Sequence, residues 1–158
     1  VLNMHGVRLD VYVEDDENKI YDIEMQTALD SNIPRRSRYY QSIIDTNILE
    51  KSLDYNKLND TYIIFICKKD LFGMGLPIYT FQNACDELNT LKLNDGAKKI
   101  IVNASGRKEK LPSEIKDFLD YLIGKYDTKN KNVFIDEIEN EMSALKMSNE
   151  WRHEYMIA

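Results

Sequence analysis

Two stretches, RLDVYVED at residues 8–15 and KIYDIEMQ at residues 19–26, decide how this chain begins to fold. Each alternates apolar and polar side chains with the period of two that an extended strand imposes. Asp16-Glu17-Asn18 between them is polar and turn-prone, so the two runs read as the strands of one antiparallel hairpin. A three-residue loop places Asp10 opposite Glu24, Arg8 opposite Gln26 and Tyr12 opposite Asp22, all on one side of the ribbon. The other side carries Val7, Leu9, Val11 and Val13 against Tyr21, Ile23 and Met25, and this apolar face is expected to be core. Like charges directly opposed on a sheet destabilise it. Asp10 and Glu24 therefore either lie in open water, on the wet face of an exposed hairpin, or hold a cation between them.

The chain has 158 residues, of which 43% are hydrophobic, enough for one globular domain with a sizeable core. A single domain over 1–158 is expected, with a C-terminal helical part at 112–158. No apolar run approaches the ~20 residues that span a bilayer and no leader opens the chain, which reads as cytoplasmic with no membrane partner. Because it opens on Val1 and stops at Ala158 inside a helical pattern, it reads as an excerpt of a longer protein. Cys67 and Cys85 form neither a metal spacing nor a disulfide framework and read as buried thiols. His5 and His153 lack companions at ligand spacing and read as bystanders. A formal charge of -6 opposes global attraction to nucleic acid, so any such contact must be local. Pro34-Arg35-Arg36-Ser37-Arg38 is the local candidate, although such a trio is more often than not a solvated surface feature.

After the hairpin, Pro34 suits a first helical position, with Ser31 or Asn32 able to cap, and the helix is expected to reach about Glu50. Arg36, Tyr40, Ile43, Ile44 and Ile48 recur at helical spacing, which aims Arg36 toward the end of the sheet. Thr61 to Lys68 reads as a buried strand, and a turn at Phe72-Gly73-Met74-Gly75 is expected to fold it into a hairpin with a strand from Ile78 to Gln82. Asn94-Asp95-Gly96 marks a tight turn before a strand at Lys99 to Asn103, closed by Ser105-Gly106. Helices are expected from Pro112 to about Tyr126, with Ile115, Leu119, Leu122 and Ile123 on one side, and from about Asn132, with a packing stripe of Phe134, Ile138, Met142 and Leu145. Trp151, Tyr155 and Met156 are left to cover the core or to meet a partner, including a second copy in a homo-oligomer. The fold class is α/β in the broad sense, an α+β mixed sheet flanked by helices.

From Val7 to Leu58 the chain resembles the PD-(D/E)XK nuclease superfamily, in the branch of PD-(D/E)XK nuclease family transposases, or Rpn-type recombination-promoting nucleases. Arg8-Leu9-Asp10-Val11 looks like its aspartate strand, Ile23-Glu24-Met25-Gln26 like the E-x-Q form of its E-x-K motif, and Arg36-Ser37-Arg38-Tyr39-Tyr40 like its R-x-x-x-Y helix. Tyr55 and Leu58 continue the likeness, and Asp95-Gly96, Ile100, Asn103, Gly106 and the closing Trp151-Arg152 to Tyr155-Met156 extend it to longer bacterial members. Departures are Gln26, where many superfamily members carry lysine, and Ser52, where the branch often has glycine. The superfamily's first helix also has little room before Val7.

The resemblance implies a restriction-endonuclease-like core lacking its N-terminal helix, and a Mg²⁺-dependent DNA endonuclease in which Mn²⁺ substitutes. Asp10, Glu24 and the backbone carbonyl of Met25 would hold the metal, with Gln26 as the third catalytic residue. Arg36, Arg38 and Tyr40 would meet phosphate or DNA, and Tyr40 would alternatively bond Gln26. For Arg36 and Tyr40 the plain reading is a snorkelling arginine and an amphipathic core tyrosine. Asp22 is a weaker candidate ligand on the same face. A second class of function is a catalytically weak or inactive nuclease fold serving as a DNA-binding or protein-assembly module, which the uncharged Gln26 and the acidic balance favour.

Overall fold

The stretch Thr61–Cys67 is apolar on both sides of its pleat, the pattern of a strand with neighbours on both edges and cover on its faces. In the computed structural model, which describes residues 3–4, 7–8, 10–129 and 132–147, it is the central strand of the main sheet. In chain order the strands are β1 (Asn3–Met4), β2 (Val7–Arg8), β3 (Val11–Glu14), β4 (Ile20–Gln26), β5 (Thr61–Cys67), β6 (Ile78–Phe81) and β7 (Ala97–Asn103). The helices are α1 (Ile33–Ser52), α2 (Ser113–Leu122) and α3 (Val133–Met147), with a 3-10 turn at Tyr55–Lys57. The chain divides into two compact units, Val1–Arg107 and Lys108–Ala158.

In the first unit β3 to β7 form a five-stranded mixed sheet in the order β3-β4-β5-β7-β6. β4, β5 and β7 run parallel, and β3 and β6 are antiparallel edges. The Asp15 amide donates to the Lys19 carbonyl, so the loop at Asp16-Glu17-Asn18 has three residues, with Asn18 at φ 60. The register is the expected one: Tyr12 pairs with Asp22 and Val11 with Ile23. The ladder stops there, and Arg8 pairs with Asn3 in a separate two-stranded ribbon rather than with Gln26. α1 links β4 to its parallel neighbour β5, a connection that a tight turn cannot make. It begins at Ile33 with Pro34 in its first turn, and Asn32 stands at the N-cap without giving a side-chain cap.

The core is on the opposite face of the hairpin from the one the alternation indicates. Ile20, Ile63, Phe65, Cys67, Tyr79 and Ile101 pack with Ile33, Tyr40 and Ile44 of α1. In-register pairing puts Asp22 beside Ile63 and Glu24 beside Phe65, so the acids share the helix-covered side. Val11, Val13 and Met25, expected in the core, are 47%, 44% and 41% exposed. Their face continues through half-buried Tyr62, Ile64 and Ile66, with Tyr21 stacked on Tyr62 at 5.0 Å. Parity along a strand tells which side chains keep company; the route of the next helix chooses which company it covers.

The expected hairpin between β5 and β6 does not form, because β7 takes the place beside β5 and β6 pairs with the far edge of β7. The Asp70 carboxylate organises the intervening loop, accepting from the amides of Phe72 and Gly75 and from the Tyr79 hydroxyl. The loop is long enough to step over one ~4.8 Å strand position, and β7 buries more apolar surface there than the short β6 offers. At the expected turn before β7, Gly96 has φ +77, and a Cβ there would stand 2.4 Å from the Asp60 carboxylate. Cys67 is buried as expected, whereas Cys85 is half-exposed with its thiol on Glu87.

In the second unit α2 ends at Leu122, before Gly124 at φ +73, so it is shorter than the periodicity indicates. Leu119 is buried and Ile115 exposed. In α3 the buried position is Ile135 and not Phe134, which is 49% exposed and packs edge-on against Phe118. Asn132 caps α3 through the amide of Phe134 and donates to Asp117. The side chains of Met142 and Leu145, and all of His5, Trp151, His153, Tyr155 and Met156, lie outside the described residues. Among the described residues no helix is long and apolar enough to cross a membrane.

Candidate active site

Asp10 stands just ahead of β3, where the ladder with β4 gives way to side-chain contacts. Its amide donates to Glu24 Oε1 at 3.1 Å, and its own Oδ2 accepts from the Met25 amide at 3.3 Å. These two bonds hold Asp10 and Glu24 side by side at the end of the ladder, each carboxylate taking a backbone amide of the opposite segment. Asp10 is exposed and Glu24 buried, so the pair forms the mouth and the floor of the site.

Asp22 lies deeper on the same side of β4, fully buried, and neither of its carboxyl oxygens has a hydrogen-bond partner. Two ionised carboxylates are both acceptors, so Glu24 beside it supplies no donor. Burial, reinforced by the charge of Glu24, pushes the Asp22 pKa up to about 8. A proton on Asp22 then closes a hydrogen bond to Glu24. Burial also raises Glu24, and the Asp10 charge adds to this; the Asp10 amide and the Arg36 charge pull the other way. The Asp22 and Glu24 carboxyls thus share a dry position whose electrostatics call for a proton or a cation.

Gln26 ends β4. Its Oε1 accepts from Arg36 Nη1 at 3.1 Å and its Nε2 donates to the Met25 carbonyl at 3.0 Å. A guanidinium only donates, so Arg36 fixes which way the amide faces. Arg36 is held in turn by the Tyr40 hydroxyl, which accepts from Nε at 3.3 Å and Nη2 at 3.2 Å, and by Asp30 at 3.8 Å. Its guanidinium carbon lies 5.2 Å from the Phe65 ring centre. Tyr40 itself stacks on Phe65 and bonds Arg36 rather than Gln26. Arg38, two residues along α1, is exposed, and helical geometry turns it about 200° away from Arg36. Asp30 and the ring of Phe65 are the members of this network that sequence reasoning missed. The D-x-E spacing of Asp22 and Glu24 was the available signal for a deeper acid.

The donors are hard oxygens, the set preferred by Mg²⁺ and its analogues. Among the described residues no group of three or more His, Cys, Asp or Glu side chains is placed to hold a metal. The site therefore fits a cation that takes one or two carboxylates and keeps several waters, as Mg²⁺ commonly does, and not an all-protein cage. The partnerless oxygens of Asp22 behind Glu24 are the structural feature that such a charge would relieve.

A mixed sheet with an acid beside one strand, E-x-Q at the end of the next and a helix covering both defines a PD-(D/E)XK nuclease-like fold. The sequence profile of the PD-(D/E)XK nuclease family transposases matches residues 2–76, the stretch that holds β3, β4, α1 and β5, and over that stretch the chain is similar to this family. The family's chemistry is of the nuclease type with DNA as substrate, and PD-(D/E)XK nucleases generally use divalent metals. No curated protein and no solved structure matches the chain.

Proposed function

We propose that this chain is the catalytic part of a metal-dependent DNA endonuclease of the Rpn-type, recombination-promoting branch, hydrolysing phosphodiester bonds with Mg²⁺ or Mn²⁺. The observation that carries this reading is the pair of bonds across the end of the β3–β4 ladder, the Asp10 amide to the Glu24 carboxylate and the Met25 amide to the Asp10 carboxylate, with Asp22 buried behind them.

Asp10, Glu24 and the Met25 carbonyl would hold the cation. When bound, it supplies a water of lowered pKa and neutralises charge on the scissile phosphate. The rest of the work falls to the chain's own groups. Gln26 offers an amide of fixed orientation for positioning the attacking water, but no charge. Arg36 supplies the charge instead: its guanidinium stands where a lysine at position 26 would meet a second cation. Tyr40, Asp30 and the Phe65 ring hold that guanidinium half-buried, where its field on a phosphate is less screened than in open water. The test is plasmid nicking in Mg²⁺ or Mn²⁺ by the full-length protein and by Asp10→Ala. Nicking lost in the variant is expected, and equal nicking by both rejects the proposal.

A non-catalytic DNA-binding or assembly module is the second reading, favoured by the uncharged Gln26 and by the two-carboxylate limit of the site. Calorimetry separates the two: no cation binding by a protein that still binds DNA supports the module. Mg²⁺ binding that disappears in Glu24→Ala supports the enzyme.

A further inference from the structure

The two rims of the parallel strands differ in charge. β4, β5 and β7 start in one row, at Ile20, Thr61 and Ala97, and end in another, at Gln26, Cys67 and Asn103. Around the starting row lie Asp16, Glu17, Asp60 and Asp95, all exposed, with Lys57 exposed and Lys19 paired to Glu17. Around the ending row, beyond the exposed Asp10 of the site itself, lies a set of exposed positive charges. Lys68 and Lys69 follow β5, and the Lys68 amide donates to the Gln26 carbonyl at 3.2 Å, so this pair sits at the edge of the acidic site. Arg35 and Arg38 flank Arg36 on the first turns of α1, which Arg36 anchors to Gln26.

The acids nearest these cations are already committed. Asp30 is bonded to the Asn32 amide and to Arg36. Asp70 is folded into its loop by two amides and a tyrosine, and those donors hold its carboxyl below the ordinary range against the opposing pull of burial. In a chain of net charge -6, four exposed cations that make no ion pair among the described residues give one rim a local positive field, which attracts a polyanion that the whole-molecule charge repels.

We propose that this rim is the track for the DNA backbone, with Lys68 and Lys69 taking phosphates beside the Asp10–Glu24 site and Arg35 and Arg38 taking phosphates further along, on the exposed outer face of the first turns of α1. The reading deepens the nuclease proposal by naming where the substrate lies, and it rests on that proposal only for the place of the cut. Each phosphate neutralised releases condensed counterions, so affinity falls with salt by a slope of about 0.9 per contact.

The experiment is fluorescence anisotropy of a labelled DNA duplex with the full chain in EDTA, across a salt series, for wild type, Lys68→Ala/Lys69→Ala, Arg35→Ala/Arg38→Ala, and the opposite-rim control Lys19→Ala/Lys57→Ala, each checked for folding by circular dichroism. All three doubles change the net charge equally. Both rim doubles are expected to bind about tenfold more weakly, with the salt slope reduced by about 1 to 2, while the control binds as wild type. Rim doubles that keep wild-type affinity and slope, or a control that loses as much as they do, overturn the track. Nicking in Mg²⁺ is read separately. A protein that nicks DNA while its rim doubles bind unchanged keeps the nuclease and loses the track; rim doubles that weaken binding in a protein that nicks nothing do the reverse.

Discussion

On the side of the sheet that α1 covers, β4 presents Ile20, Asp22 and Glu24; on the other it presents Tyr21, Ile23 and Met25. The covered side is the one with the carboxyl groups, and the more apolar side is half-open. This is costly for stability, because a buried carboxyl must be neutralised or partnered. It is useful for chemistry, because a cation or a developing charge placed there is attracted more strongly than in water. The contrast teaches that burial in this fold follows the needs of the site on one strand and the needs of packing on its neighbours β5 and β7.

The strongest way to break the contrast is to remove the buried charge on which the proposed cation site depends. Glu24→Gln keeps shape and burial, and cation-dependent nicking is expected to fall by about 100-fold or more, since metal-supported charge stabilisation is worth several kcal/mol; a plasmid assay reads it. Next, Phe65→Ala on the covered side removes a fully buried ring that packs Tyr40 and Arg36, and urea unfolding should show a loss of about 3–5 kcal/mol.

Asp22 sharpens the comparison through pH. Its folded pKa of about 8 lies above the ordinary 3.8, so between those values the native protein holds a proton that the unfolded chain has released. Stability of the metal-free protein therefore falls as pH rises from about 4 to about 8. Asp22→Asn is expected to flatten that slope and to add about 1–3 kcal/mol at pH 8, with little change at pH 4; urea midpoints at the two pH values check it. The smallest effect belongs to the open side. Val13→Thr there is expected to stay within about 0.5 kcal/mol of wild type by the same measurement. A loss there as large as that of Phe65→Ala would mean that the open face is covered in solution.

Much of this was readable in advance. Alternation in residues 8–15 and 19–26, with a short polar loop, determined the hairpin, its register and the meeting of Asp10 with Glu24, because side-chain parity and loop length are local properties. Helical spacing likewise placed Arg36 at the sheet end, where it meets Gln26. The misreadings were non-local. Which face α1 covers, and that β7 rather than β6 lies beside β5, depend on competition between segments far apart in the chain. The same holds for the Arg36–Tyr40–Phe65 stack and for the depth of Asp22. The residues fixed what could pair along each strand; burial, and with it the charge state and chemical use of the acids, came from how the strands and helix were assembled, since dielectric and proximity belong to the packed molecule.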